Sequence, residues 1–331
     1  MTSRRRFIKI VSGTAASLTI PLNPLFGSAI APARDKWGTL LPLNAFGSTG
    51  KKVTMLGLGG FHIGRMEDQM AQETIETAIE GGIRYFDTAE SYQDGGSEEK
   101  YGRLLTPRYR DEIFLMTKTR ATDRKTAEKD LADSLRRLNT DTIDLWLMHA
   151  IRSEEDVDKR IDNGVLDVML EAKEAGKIKH LGFSGHTTIK AHQHILELTD
   201  EPEACMLPIN ALDPGHESFI ENVVPQLHEK KMGVIAMKTM AGGAFFGRGF
   251  DGSRDADDTV MDHITVEEGI QFALSIPNHV LVTGPKDPAM LQEKIDIARS
   301  FQKLSDDNLK EIFSRISHLS GNKVEYYKGR A

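Results

Sequence analysis

Cysteine is almost absent: Cys205 stands alone in 331 residues. One thiol excludes an intramolecular disulfide and any cysteine-rich zinc or iron–sulfur centre within the chain. Basic charge is also in deficit, with 42 Lys+Arg against 49 Asp+Glu and a net charge of −7. No basic stripe interleaved with aromatics runs through the chain, so nucleic acid is not an expected partner. Long apolar runs are missing too. The mild one from Ile10 to Ile20 covers eleven residues, too few to cross ~30 Å of hydrocarbon as a stable helix. What remains is an α/β-like composition, 39% hydrophobic and 27% charged. It is ample for one large domain and shows no linker or shift of composition that forces two.

The N-terminus reads as a targeting segment. Ser3-Arg4-Arg5-Arg6-Phe7-Ile8-Lys9 precedes the apolar run, and Ala31-Pro32-Ala33 follows it. A basic start, a short apolar stretch and an Ala-x-Ala site form an export signal. The arginine pair in register with Phe and Lys is of the twin-arginine (Tat) type, which carries folded proteins. The expectation is a signal over residues 1–33, cleaved after Ala33, with the twin-arginine translocation machinery as partner. The product is then periplasmic or otherwise exported, without a stable membrane span. The domain is expected over residues 34–331.

Beyond this segment, β-like runs alternate with helical patterns. Leu40 to Phe46 and Lys52 to Leu58 flank Gly47-Ser48-Thr49-Gly50 and predict a hairpin. Further strands are expected to end near Asp87, Lys118, His149, Ser184, Asn210, Lys238 and Gly284. Helical patterns lie between them, among them Met70 to Glu80, Lys125 to Leu138, Gly164 to Ala175 and Val266 to Ser275. Strict alternation implies a parallel sheet. Eight units predict a (β/α)8 TIM barrel preceded by a short β-hairpin, with function at the C-terminal ends of the strands. An open doubly wound sheet is the second choice. Its dinucleotide fingerprint fails, because Gly57 and Gly59 fit but His62 occupies the third glycine's position.

Three strand ends carry the chemistry. Ile83-Arg84-Tyr85-Phe86-Asp87 ends in an acid, with Tyr92 five residues on. Lys118 closes the next apolar run and His149 the one after, each 31 residues further along. One βα unit takes roughly 30 residues, and neighbouring strands lie ~4.8 Å apart. Acid, ammonium, imidazole and phenol are therefore expected on one face.

Asp87-Thr88-Ala89-x-x-Tyr92, Lys118 and His149 on successive strands resemble the aldo-keto reductase family over roughly residues 39–302. Leu56-Gly57-Leu58-Gly59-Gly60, Gly95-x-Ser97-Glu98, Gly182-Phe183-Ser184-Gly185-His186 and Met237-Lys238-x-x-x-Gly242-Gly243 add to the likeness. The resemblance implies an NAD(P)H-dependent enzyme that reduces an aldehyde or ketone, or runs the reverse. The substrate class is a small carbonyl or sugar-like molecule, and NADP is the favoured cofactor, with NAD as the other choice. In the catalytic set it implies, Tyr92 gives the proton. Lys118 lowers the phenol's pKa, Asp87 holds Lys118, and His149 orients the carbonyl. It implies cofactor contacts from Gly59, Gly60, Asp87, Ser184, Asn210, Met237 and Lys238, and further contacts at the adenosine end from Gly284, Lys286, Met290, Glu293 and Lys294. Phe61, His62, Tyr92 and His149 are expected to line the substrate pocket. The loop 240–262, with Phe245-Phe246-Gly247-Arg248-Gly249, covers cofactor or shapes that pocket, or is an acidic surface loop.

Two other readings bear on the same residues. A nicotinamide-binding regulatory module needs no turnover. A metal-dependent barrel hydrolase would use His62, Asp87, His149 and His186 as ligands, but a lysine at 118 would repel the ion.

Overall fold

The computed structural model describes residues 32–247 and 258–329. The expected signal over residues 1–33 (except its last two residues) and the stretch 248–257 lie outside them. The chain opens with a two-stranded ribbon, β1 (Arg34–Asp35) and β2 (Gly38–Thr39), and a hairpin of β3 (Leu43–Ala45) and β4 (Lys52–Thr54). The expected hairpin is present but shorter than its apolar runs. The second run divides at Met55, and its latter half is the first barrel strand, β5 (Leu56–Gly59). Then come β6 (Tyr85–Asp87), β7 (Phe114–Thr119), β8 (Ile143–Ile151), β9 (Ile178–Gly185), β10 (Ala204–Pro208), β11 (Gly233–Met237) and β12 (Val280–Thr283). β5 to β12 close a barrel in sequence order, all parallel. These strands are buried on both faces, so they read as continuous apolar runs rather than alternating ones.

The barrel interior is filled by Tyr85, Phe114, Met116, Leu145, Leu147 and Ile235, among others. Tyr85 stacks on Phe114 at 5.1 Å between ring centroids. Phe46, on the hairpin turn, plugs the end where the strands begin. A Cβ at residue 233 would lie 2.5 Å from the Phe46 ring, so glycine is required there. With that end sealed, the mouth lies at the strands' C-terminal ends. A second apolar layer joins barrel to helices through residues such as Ile75, Trp146, Phe183, Phe219 and Phe272.

The helices follow local signals. The helix Arg124–Arg137 starts at Asp123, whose carboxylate accepts from Thr126 N at 2.9 Å. The stretch expected as a single helix over 164–175 is preceded by another, Glu154–Asp162, capped by Ser153. Between β10 and β11 the chain forms two short helices, Phe219–Asn222 and Val224–Glu229. Pro225 lacks the amide that would continue the first into the second. The sequence did not announce the last element. Past the turn Ser317–Leu319, residues 321–329 run back to the barrel mouth. There Gly329 N donates to Thr187 O at 2.8 Å and Asn210 Nδ2 donates to the Tyr327 hydroxyl at 2.8 Å.

Candidate active site

Register brings the expected quartet together. Gly59 pairs with Asp87, Asp87 with Met116, and Lys118 with Leu147, so acid, lysine and histidine stand at the ends of adjacent strands. Lys118 is 1% exposed and Asp87 3%. The three ammonium donors of Lys118 are all placed: one on Asp87 Oδ1, one on Thr88 O at 2.7 Å, one on the Tyr92 hydroxyl oxygen at 3.2 Å. Tyr92 accepts that bond, so its own proton is free to be given elsewhere. Past Tyr92 the backbone takes three consecutive left-handed residues, Gln93, Asp94 and Gly95 (φ 53°, 52° and 93°). Strain of this sort persists only where surrounding structure over-determines it. Here it turns the chain sharply from the tyrosine into the helix Gly96–Leu104.

His149 sits in a register irregularity between Met148 and Ile151, with Ala150 at φ 55°. Bulges of this kind re-aim a side chain at a barrel rim. Ser184 holds this one from both sides, accepting from Ala150 N at 3.2 Å and donating to Met148 O at 3.3 Å. Ser184 is buried and engaged with β8, which gives it a positioning role for His149. His149 Nδ1 is 3.3 Å from Ser91 Oγ and 4.0 Å from Glu90 Oε2. Glu90 accepts from Ser91 N and Arg120 N at 2.7 and 2.9 Å. Glu90 and Ser91 were not picked from the sequence, although both lie within the Asp87–Tyr92 motif.

The electrostatics divide the groups. Burial depresses the His149 pKa well below its usual value, helped by the Lys118 and Arg120 charges, so the imidazole is neutral. Burial also works against the Lys118 ammonium, but Asp87 and Tyr92 outweigh it and the pKa rises. For Tyr92 the expected lowering is overturned. Burial raises its pKa by more than Lys118 lowers it, because the ring is packed between Phe61 and His149 at 5.3 and 5.7 Å. The phenol is therefore protonated throughout the neutral range.

The wider shell is mixed. A Cβ on Gly60 would meet Asp87 O at 2.6 Å and Ser97 Oγ at 2.7 Å, so the chain's own packing already demands that glycine. Asn210 is fully buried. Its Nδ2 goes to Tyr327, and its Oδ1 accepts from Leu212 N and Asp213 N. Its amide is thus engaged within the protein's own scaffold. Met237 packs on the barrel interior. Phe61 is exposed at the mouth beside Tyr92. His62 stands edge to face with Phe61 at 5.5 Å between centroids and lies against Gly284, whose missing Cβ would fall 2.3 Å from the imidazole. Burial pulls the His62 pKa to about 4, aided by the nearby charges of Lys294, Arg65 and Lys286. Burial likewise brings Lys294 down to about 8. Met290 N and Asp287 Oδ1 form the cap of the helix Pro288–Arg299, which also carries Glu293. Lys238, at φ 59°, lies 5.9 and 5.4 Å from the Tyr326 and Tyr327 ring centroids.

These residues suit an extended anionic dinucleotide. Among the described residues Lys238, Lys286 and Lys294 form no ion pair within 4 Å, and the buried His186 Nδ1 has no partner. Asp87 is taken by Lys118, so it does not join His62, His149 and His186 as a metal ligand.

The aldo/keto reductase family model matches residues 55–312. Among curated proteins, the aldo-keto reductase YhdN of Bacillus subtilis is 28% identical over 60% of this chain. The match spans 62% of that relative's length. A holo aldo-keto reductase AKR11C1 from Bacillus halodurans superposes with a TM-score of 0.69 at 21% identity, covering 82% of this chain and 96% of that one. An aldo-keto reductase from Klebsiella pneumoniae in complex with NADPH gives 0.64 at 22% identity, over 83% of this chain and 94% of that one. At these identities the structures speak for the fold.

Proposed function

The chain belongs to the aldo/keto reductase family, and from that premise we propose that it reduces an aldehyde or ketone to the alcohol with NADPH. The observation that carries this reading is the three-way engagement of the Lys118 ammonium by Asp87, Thr88 O and Tyr92. Reduction needs a proton at oxygen as hydride reaches carbon. A bound nicotinamide supplies the hydride. Tyr92 gives the proton to the forming alkoxide, and the adjacent Lys118 charge stabilises the phenolate left behind. Asp87 fixes Lys118 and balances its charge. Neutral His149 presents an N–H to the carbonyl oxygen without competing as an acid. Phe61 forms an apolar wall beside Tyr92.

For the dinucleotide, Lys238 is assigned to the pyrophosphate, and Lys286 and Lys294 to the 2′-phosphate. Their lack of internal ion pairs supports NADPH over NADH. Since the Lys294 pKa is about 8, its charge is lost as pH rises through that value, and NADPH affinity should fall there while NADH affinity barely changes. Lys294→Ala should remove most of this pH dependence, read by fluorescence titration. Equal pH profiles for both nucleotides would refute the assignment.

The reading as a whole is tested by NADPH oxidation with a panel of aldehydes, ketones and keto-sugars. Nucleotide binding without turnover on any of them would favour a regulatory module instead. We also propose export of the folded chain by the twin-arginine route, on the strength of Arg4-Arg5-Arg6-Phe7-Ile8-Lys9 and the Ala31-Pro32-Ala33 site. Folded export lets the enzyme carry its nucleotide with it. Fractionation should find a periplasmic product beginning at Arg34. An uncleaved protein confined to the cytoplasm would defeat the idea.

A further inference from the structure

At the connection that follows β11, two histidines distant in sequence turn the same nitrogen toward one carboxylate. His263 follows the turn Val260–Asp262, and His318 lies in the turn Ser317–Leu319 after the helix Asp306–Ile316. His263 Nε2 is 2.6 Å from Asp258 Oδ1, and His318 Nε2 is 3.1 Å from Asp258 Oδ2. The two rings stand edge to face, with centroids 5.0 Å apart. One ligand atom from each residue falls within 4.8 Å of the others. We propose that Asp258, His263 and His318 form a surface site for a divalent transition-metal ion of the zinc class, which staples the turn between Asp258 and His263 to the end of the helix Asp306–Ile316.

The donor set decides the class of ion. Two imidazoles and one carboxylate suit zinc and its neighbours, whereas magnesium and calcium want oxygen alone. Zinc bonds to nitrogen and carboxylate oxygen run ~2.0–2.2 Å, which for a tetrahedron spaces the ligand atoms ~3.4 Å apart, so small side-chain rotations suffice. The backbone is already fixed. Thr259 N and Oγ1 each donate to Asp262 Oδ2 at 2.8 Å, which sets the turn between Asp258 and His263. Arg315 Nη1 donates to His263 O at 3.0 Å, tying that turn to the helix that delivers His318. The positive charge of this Arg315 is met by Glu268 and Glu311. Both histidines and Asp258 are open to solvent, so an ion can enter and water can take the fourth position. On binding, each imidazole coordinates as the neutral ligand through Nε2 and keeps its proton on Nδ1. The ion is remote from Tyr92 in role, and the proposal stands whether or not the chain is a reductase.

The test is titration of untagged, chelator-treated full chain with Zn²⁺ by calorimetry. It should show one ion per chain and a raised Tm. The variant H263Q/H318Q should lose both while keeping its circular dichroism and its affinity for NADPH. Absence of zinc binding by the wild-type chain, or undiminished binding by the folded double variant, would overturn the proposal. X-ray absorption of the zinc-loaded wild type gives an answer independent of the variant. Two imidazoles and an oxygen in the first shell support the site, and a shell without two imidazoles rejects it.

Discussion

Lys118 and Lys328 are set in closely similar surroundings. Each is a buried ammonium with all three donors used, each meets an aspartate, and each has a tyrosine and a backbone carbonyl in the same cluster. Lys328 reaches Asp213 Oδ1 at 2.8 Å, Glu325 Oε1 at 2.8 Å and His216 O at 2.6 Å, with its side chain and both carboxylates 0% exposed. Burial opposes both ammonium ions, and their carboxylates hold both pKa values up. The tyrosines differ. Tyr92 accepts from its lysine, whereas Tyr327 donates to Glu325 Oε1 at 3.2 Å and accepts from Asn210. A cation beside a phenol oxygen helps the proton leave, and a carboxylate there holds it. Burial and the Glu325 and Asp213 charges push the Tyr327 pKa well above its usual value. The same three residue types thus make a proton donor in one place and a structural latch in the other, and the direction of one hydrogen bond separates them.

The widest separation should come from removing the two hydroxyls. Tyr92→Phe should cut turnover by roughly 10²–10⁴-fold with NADPH binding and Tm unchanged. Tyr327→Phe should leave turnover within a few-fold and cost about 1–3 kcal/mol in urea unfolding, because Asn210 and Glu325 lose a buried partner. If Tyr92→Phe reduces carbonyls at a near-normal rate, the distinction collapses. Replacing the lysines comes next. Lys328→Met strands two buried carboxylates and should cost about 3–5 kcal/mol. Lys118→Met should lose comparable stability through Asp87 and also its turnover. A Lys328→Met protein as stable as the wild type would show that the latch carries no energy.

The smallest effect concerns protons on histidine. His149 and His192 are buried, and burial leads the depression of both, His192 to about 4. A histidine whose folded pKa lies below its unfolded value near 6.5 costs stability as pH falls through 6.5, because only the unfolded chain takes the proton. Each should contribute roughly 1.4 kcal/mol per pH unit below that point. Urea unfolding at pH 7, 6 and 5 checks this, and His192→Phe should flatten the slope. The reductase rate of the folded enzyme, by contrast, should show no titration centred at 6.5. A limb there would mean that His149 ionises in the folded state.

The barrel was legible because β6, β7 and β8 are buried on both faces and each carries a polar residue at or near its C-terminal end, at a regular 31-residue step. That spacing and the register together account for Asp87, Lys118 and His149. What escaped was three-dimensional. Ser184 looks like a ligand contact in a Gly-x-Ser-Gly string, and only the bulge at Ala150 shows that it holds His149. Asn210 has the right type and place for a cofactor contact, yet a segment more than a hundred residues later takes its amide. Val324-Glu325-Tyr326-Tyr327-Lys328 has neither helical nor strand period, and its partners Asp213 and His216 lie in a loop. Nothing local marks it as buried. The rise in the Tyr92 pKa is likewise a matter of packing density, which no motif records.

The latch also sets an order of events. Residues 325–328 leave the ribosome after all eight barrel strands and after Tyr92, Lys118 and His149. At roughly 5–20 residues per second, Lys328 is made seconds after the last barrel strand, and only then can it meet Asp213. During that interval Asp213 is an unpaired carboxylate among Ser218, Phe219 and Ile220, and Asn210 lacks its tyrosine. The mouth is thus the last part of the molecule to mature, and its completion reports that the tail has been made.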